Sequence, residues 1–299
     1  MNRPLLSITF VTMNRSKQLE NAINSCLMCN LPSETEFVIV DNASTDNTEE
    51  IIKKINSKSD YDFKYYKLER NIGAGKGRNM CFEKSKGYYI YGCDDDAEID
   101  YKNNTNFFMD AIKIFEENKK ISTLATQIFD TAWNANRQHI NGPKIGNDLY
   151  MCKMFSGGSH FLRKDFFNYP PYLNNSYGYE ELPPSLLVID NGGINAFCPN
   201  LLAIHKPQVN KWDYNKKINK KYLIIECAAP YAIKKMMYPF FSRPFVYMAH
   251  LIRCKRYLDK NDIHEEKVLV KEMTKKYSLD RIKNMSLIKL FYYFGFSIF

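Results

Sequence analysis

The sequence predicts an α/β fold, with a parallel sheet and crossover helices in its N-terminal part and a helical region at its C-terminal end. Three observations lead there. Short apolar, β-branched runs alternate with stretches of helical periodicity over residues 5–93, the pattern of strands joined by crossover helices. Polar residues collect directly after the strand-like runs, where open α/β sheets bind ligands. Beyond residue 206, lysine-rich sequence carries Tyr, Phe, Ile and Met at helical spacing.

The elements follow in order. Residues 5–13 (LLSITFVTM) read as a buried strand. Ser16 caps a helix through Leu27, with Leu19, Ala22, Ile23, Cys26 and Leu27 on one face. Residues 36–40 (EFVIV) form a second strand ending on Asp41, and Ser44-Thr45-Asp46 opens a helix carrying Ile51, Ile52 and Ile55. Residues 63–68 form a third strand. A glycine-rich turn at 73–77 leads into a helix through Lys84, and residues 88–93 (YYIYGC) form a fourth strand. Asp94-Asp95-Asp96 sits at its carboxyl end. A helix at 103–118 and a strand at 122–127 come next. Residues 130–151 lack periodicity and read as a mobile loop or irregular hairpin. Phe155-Ser156-Gly157-Gly158-Ser159 is a backbone-flexible spot. Tyr177-Gly178-Tyr179-Glu180-Glu181 precedes a short helix through Ile189, and 194–197 and 201–205 are short strands. In the last region, Tyr222, Ile225, Ala229 and Ile233, then Phe245, Met248, Leu251 and Ile252, mark amphipathic helices.

Composition bounds the classes. Apolar residues at 45% support a full core. The 21 Tyr and 20 Phe suit a core and also suit packing against sugar C–H faces. No run reaches the ~18 apolar residues that cross a bilayer, and Met1-Asn2-Arg3-Pro4 leads into a strand with no cleavage site, so no signal peptide is expected. Eight scattered cysteines read as reduced, buried thiols of a cytoplasmic protein, Cys26-Leu27-Met28-Cys29 included. Of the net +9, residues 206–299 hold 20 Lys/Arg against 8 Asp/Glu, or +12, which leaves −3 for the rest. Such a basic tail suits an anionic surface.

Thr12, Asn14 and Arg15 follow the first strand, Asp41 and Asn42 the second, and Asp94–Asp96 the fourth. Three adjacent acids beside a buried strand repel one another and need a cation to stay ionised.

Four blocks at these places resemble glycosyltransferase family 2: Val11-Thr12-Met13-Asn14-Arg15, residues 38–48 (VIVDNASTDNT), residues 71–79 (NIGAGKGRN) and Asp94-Asp95-Asp96. Their order and spacing cover residues 5–100. The likeness continues more loosely to His205 and does not cover the C-terminal region. It implies the GT-A fold, a Rossmann-like nucleotide-diphospho-sugar transferase fold, here with a C-terminal helical region. Residues 1–125 would be the nucleotide-sugar-binding half, 126–207 the acceptor-binding half of the same domain, and 208–299 basic amphipathic helices.

The resemblance also implies the chemistry: inverting transfer from a nucleotide-diphospho-sugar, UDP-sugar foremost, to a hydroxyl of a glycan, lipid-linked or peptide acceptor in bacterial-type cell-surface polysaccharide or glycoconjugate synthesis. Mn²⁺ or Mg²⁺ is the implied cofactor, stabilising the leaving diphosphate as a Lewis acid. Asp96 is the implied metal ligand, with Asp94 facing metal or ribose and His205 as a further ligand. Thr12, Asn14, Arg15, Asp41, Asn71, Gly73, Arg78, Asp94 and Asp95 make up the implied nucleotide site. In it Asp41 bonds the base, Thr12 and Asn14 begin the base pocket, and Arg15 and Arg78 neutralise phosphate or steady the acids. Asn42 and Ser44 serve equally as turn and cap residues. Gly157-Gly158 is where the backbone approaches the donor. Glu181 is the implied catalytic base, with Glu180 as neighbour or substitute. The sequence departs from the family where Leu182-Pro183-Pro184 replaces a further Asp and no Arg follows in 185–188; prolines fit a first helical turn, so the helix can start later.

Other classes explain less. A nucleotide-sugar-binding scaffold subunit without activity draws on the irregular 182–184 segment. A nucleotidyltransferase would need a glycine-rich loop that 11–15 lacks. A nucleic-acid binder leaves the acidic cleft unexplained, so no nucleic-acid partner is expected. For the tail, the apolar run 290–299 flanked by Lys283 and Lys289 suits an interface with the inner face of a membrane; packing on the catalytic domain, or on a second subunit of a homo-oligomer, are the other expectations.

Overall fold

In the computed structural model the described residues are 3–174, 178–207, 220–276, 279 and 281–284. Tyr177, the side chain of Tyr222, Lys289 and the apolar run 290–299 lie outside them. The first half runs β1 (Leu6–Thr12), α1 (Ser16–Leu27), β2 (Thr35–Asp41), α2 (Thr48–Asn56), β3 (Asp62–Lys67), α3 (Ala74–Lys84) and β4 (Tyr89–Asp94). These strands pair in parallel in the order β3-β2-β1-β4. Apart from Val11 and Asp94, every residue of β1, β2 and β4 is buried, as crossover helices covering both faces require. The register aligns Thr12 with Asp41 and Val11 with Asp94, so their carboxyl ends share one edge. On α1 the expected face, Leu19, Ala22, Ile23 and Cys26, is buried. The second helix starts at Thr48 instead of at Ser44–Asp46, because Asp41 Oδ1 accepts the Ser44 N–H and the Asp46 carboxylate accepts that of Thr48. Those bonds hold the segment as a turn.

The second half runs β5 (Ala97–Ile99), α4 (Phe107–Glu117), β6 (Ile121–Asp130), β7 (Ala135–Asn136), β8 (Lys144–Gly146), β9 (Leu149–Met151), β10 (Ser159–Arg163), α5 (Leu182–Asp190), β11 (Ile194–His205), α6 (Lys220–Met237), α7 (Arg243–Tyr257) and α8 (Lys260–Lys276). Beyond the parallel strands β1–β4 the sheet becomes mixed. β10 inserts antiparallel between β4 and β6, and β6 pairs in parallel with β11, giving one mixed sheet. The stretch 130–151 holds three short strands. The two short strands expected at 194–205 are one, with an irregularity between Cys198 and Leu202.

Two large apolar clusters form. One runs along the sheet from Leu6, Phe10 and Phe37 to Phe107, Phe161 and Ala203. The other joins Leu162, Leu186 and Phe197 to Ala228, Ile233, Val246 and Val270. The C-terminal helices therefore pack on α5 and the second half of the sheet. Ala229 and Ile233 are buried as their spacing predicts, whereas Phe245, Met248, Leu251 and Ile252 on α7 face outward. The eight cysteines are buried free thiols. Among the described residues no helix is long and apolar enough to cross a membrane.

Helix α3 lies close on the sheet at Gly77, where a Cβ would come 2.6 Å from Val11 Cγ1. Val11 is β-branched and cannot easily turn away. Overpacking of about 1–3 kcal/mol should outweigh the roughly 1 kcal/mol that Ala adds to a helix. Gly77→Ala is expected to lower the urea midpoint, and Val11→Ala in the same chain to restore part of the loss.

Candidate functional site

Two turns bring the acidic run into register with β1. Asp95 and Asp96 form the turn between β4 and β5, and both are buried. Thr12 Oγ1 donates to Asp95 Oδ2 at 2.7 Å. Arg15 Nη1 donates to Asp95 Oδ1 at 2.8 Å and to Asp96 Oδ2 at 2.7 Å. Arg78, from α3, donates to Asp94 Oδ1 at 2.6 Å. Burial disfavours ionised Asp94, but Arg78, His205 and Arg137 outweigh it and hold the pKa at about 2. Asp95 goes the other way: burial pushes it to about 6, against Arg15 and with Asp96.

His205, the last residue of β11, completes a three-residue group. Its Nε2 lies 3.0 Å from Asp96 Oδ1, and its Nδ1 lies 3.1 Å from Asp130 Oδ2. Ligand atoms of Asp94, Asp96 and His205 all fall within 4.8 Å of one another. Two carboxylates and an imidazole whose other nitrogen is held by a carboxylate fit a divalent cation of the Mn²⁺ or Mg²⁺ type. Asp130 is itself fixed by Arg137, at 2.7 Å from Nη2.

The residues expected to border a base pocket occupy the adjacent turns. Asp41 is buried, with Oδ1 accepting the Ser44 N–H and Oδ2 accepting the Tyr65 hydroxyl. Asn14 has φ +54° and Oδ1 accepting the Thr45 N–H, so it ties the β1 and β2 turns together. Asn71 Oδ1 accepts the Gly73 N–H at 2.8 Å. Gly73, at φ +90°, is where the chain turns into α3, a conformation that favours glycine.

Opposite stands the acidic pair before α5. A Cβ on Gly157 would coincide with the Glu181 carboxylate, and one on Gly158 would lie 2.8 Å from Asp94 Oδ2. The Gly158 carbonyl accepts the Asp94 N–H at 3.0 Å. Two glycines thus let backbone pass between Asp94 and Glu181. Burial, helped by Glu180, pushes Glu181 up to about 8 against the pull of Arg78. Glu180 instead turns back, with Oε1 accepting the Gly178 N–H. Helix α5 starts at Leu182 with Pro183 and Pro184 in its first turn, where a missing N–H costs least.

Sequence reasoning missed several residues around this site. Asp130 ends β6 at the same sheet edge as Asp41 and Asp94, a position that could have drawn notice. Arg137 lies in the stretch read as a loop. His160 packs under the glycine pair, with Nδ1 3.1 Å from Gly157 O and Nε2 2.7 Å from the Tyr172 hydroxyl. Burial and Arg78 push its pKa down to about 3. Tyr172 is in turn held at both backbone polar atoms by Asn79.

Residues 7–170 match the family model described as glycosyl transferase family 2. A stretch of 119 residues, 40% of this chain, is 30% identical to poly-beta-1,6-N-acetyl-D-glucosamine synthase of Staphylococcus epidermidis, and the match spans 27% of that synthase. The structure is similar to Staphylococcus aureus TarS 1-349 in complex with UDP-GlcNAc, at a TM-score of 0.58 and 16% identity, covering 90% of this chain and 79% of that one. It is similar also to the mannosyltransferase PcManGT of Pyrobaculum calidifontis in complex with GDP-Man and Mn²⁺, at 0.59 and 12%, covering 100% and 85%. These likenesses show the GT-A fold.

The placement of Asp130 behind His205 gives a test. Partners that orient a ligating histidine typically contribute 10–100-fold to metal affinity. Asp130→Asn is expected to weaken Mn²⁺ binding by about that factor in titration calorimetry. Asp96→Asn should abolish it.

Proposed function

The chain belongs to glycosyl transferase family 2, and from that premise we propose that it moves a sugar from a UDP-sugar to a hydroxyl of a cell-surface polysaccharide or glycoconjugate acceptor, with inversion. One observation carries this reading: Glu181 lies against Gly157 and Asp94 against its neighbour Gly158. Donor and acceptor chemistry would meet there. The names of the staphylococcal synthase and of TarS with UDP-GlcNAc support the polysaccharide and UDP parts. Residues 1–125 would supply the donor half and 126–207 the acceptor half.

Asp94, Asp96 and His205 would hold Mn²⁺ or Mg²⁺, which as a Lewis acid stabilises a departing diphosphate. Arg78, against Asp94, adds a fixed positive charge on the donor side. Asp41 and the Asn14, Asn71 and Gly73 turns bound the base and ribose. Glu181 takes the proton from the acceptor hydroxyl, and the acceptor oxygen then attacks the anomeric carbon opposite the diphosphate. Burial suits Glu181 to this work, because a base near the working pH transfers protons most effectively. The scaffold alternative leaned on the 182–184 segment. There α5 begins at Leu182 and the Glu181 carboxylate lies against Gly157, which supports the transferase reading.

Glu181→Gln should cut kcat by about 10²–10⁴, while a UDP-sugar with Mn²⁺ still raises Tm. Asp96→Asn should lose both turnover and the metal-dependent shift. Wild-type transfer of a radiolabelled sugar by both variants would overturn the reading. The carboxylate pKa is raised, so the base form is missing below it. The rate kcat/KM should therefore climb with pH to about 8 and level off above; a flat profile would count against Glu181.

An anionic membrane surface is the partner proposed for the C-terminal region. On α7, Phe245, Met248 and Ile252 are each more than half exposed, beside Lys255 and Arg256. A row of this kind inserts shallowly while its cations meet lipid phosphates. In flotation, the protein should rise with vesicles holding anionic lipid and not with neutral ones, and Met248→Glu with Ile252→Glu should abolish it. Equal flotation of the variant would refute the assignment.

A further inference from the structure

The C-terminal helices carry a second cluster of metal-binding side chains, of different chemistry from the acidic site. His250 and Cys254 stand one turn apart on α7 and project from one face. Glu266 reaches them from α8. His250 Nε2 lies 3.4 Å from Glu266 Oε1 and 3.5 Å from Cys254 Sγ, and the three ligand atoms fall within 4.8 Å of one another. In a tetrahedral site, metal–N and metal–O bonds of about 2.0–2.2 Å and metal–S bonds of about 2.3 Å set ligand atoms roughly 3.3–3.8 Å apart. Both spacings to His250 Nε2 lie in that window. A second thiol, Cys227 of α6, neighbours Cys254.

Burial makes the cluster unusual. Cys227 and Glu266 are each 1% exposed, Cys254 3% and His250 8%. Glu266 Oε1 has no hydrogen-bond partner among the described residues. A buried carboxylate oxygen in that state is costly unless a cation meets it, and His250 supplies positive charge only when protonated. The His250 ring is itself held flat against Tyr231, centroids 3.9 Å apart, so its nitrogens have a fixed direction. A cavity of about 830 Å³, lined in part by Tyr231, Tyr247, Leu251 and the three ligands, opens beside the cluster and gives an ion a path in.

We propose that His250, Cys254 and Glu266 bind a thiophilic divalent cation of the zinc type that clasps α7 to α8 beside α6. One thiol, one imidazole and one carboxylate form a set with a softer donor than the oxygen-rich group of Asp94, Asp96 and His205. Binding releases the Cys254 thiol proton to solvent and takes His250 neutral. The clasp lies behind the base: the Tyr179 hydroxyl, two residues before Glu181, donates to Glu226 Oε2 on α6 at 2.7 Å.

Cobalt separates the two sites, because a thiolate ligand gives Co²⁺ an intense near-ultraviolet charge-transfer band that oxygen ligands do not. The full chain titrated with Co²⁺ should show that band at one equivalent, and Zn²⁺ should bleach it. The band should persist in Asp96→Asn and vanish in Cys254→Ser. In parallel, Zn²⁺ should raise the Tm of the wild type and of Asp96→Asn, with circular dichroism reporting whether Cys254→Ser folds. Absence of the band in the wild-type protein would overturn the proposal and leave His250 and Glu266 a plain ion pair. So would its survival in a folded Cys254→Ser.

Discussion

The carboxyl edge of the sheet is organised by crowding of negative charge. Asp94, Asp95, Asp96, Asp130, Glu180 and Glu181 all reach it, and all but Asp94 and Glu181 are among the buried polar residues. Like charges in a low-dielectric site cannot all ionise unless cations stand among them. The chain supplies three guanidiniums, each from a different element. Arg15 follows β1 and bridges Asp95 and Asp96; Arg78 on α3 takes Asp94; Arg137 after β7 takes Asp130. The carboxylates still outnumber them. That surplus is what a divalent cation at Asp94, Asp96 and His205 would balance.

The opposed pKa directions of Asp94 and Glu181 follow from the same arrangement. Arg78 bonds Asp94 directly and bears on Glu181 only through its field. Asp94 therefore stays ionised, while Glu181, against Glu180 and partly shielded from water, is pushed up to about 8. Their separation rests on the glycine pair, whose backbone is held from below by His160. Burial keeps that imidazole neutral, so it adds no positive charge beneath Gly157. Asn79, one residue after Arg78, fixes Tyr172, and Tyr172 fixes His160. One helix thus sets both the guanidinium and the floor under Gly157.

The carboxyl edge of β1, β2 and β4 was legible in the sequence because its parts are local. A buried apolar run followed by a polar turn marks both a strand and its carboxyl end, and β1, β2 and β4 each show this over a few residues. Direction is not local. Nothing in the side chains of β10, which was not read as a strand, announces that it runs antiparallel between β4 and β6. Asp130 and Arg137 were missed for a related reason, since their partner His205 lies some seventy residues away and their own segment has no periodicity. On α7 the spacing of Phe245, Met248 and Ile252 gave the amphipathic stripe, but spacing does not say whether a stripe meets a core or solvent. The resemblance pointed to Glu181 over Glu180, but only the fold shows that Glu181 lies against Gly157 while Glu180 turns back to the Gly178 N–H.

The C-terminal helices are bound to that outcome and are not a detachable tail. Tyr179 sits at φ +61°, a conformation unfavourable for a bulky residue. It persists because its hydroxyl is held by Glu226 of α6 and its ring packs on the cluster that α6 and α8 complete. At the other end of α5, Asp190 would oppose the helix dipole; instead its two oxygens accept the N–H groups of Lys283 and Asn284. Ile282, just before them, donates its own N–H to Met237 at the end of α6. Both ends of α5 are thus anchored by chain beyond residue 220. The residues that point Glu181 at Gly157 are therefore set by the helical region as much as by the sheet.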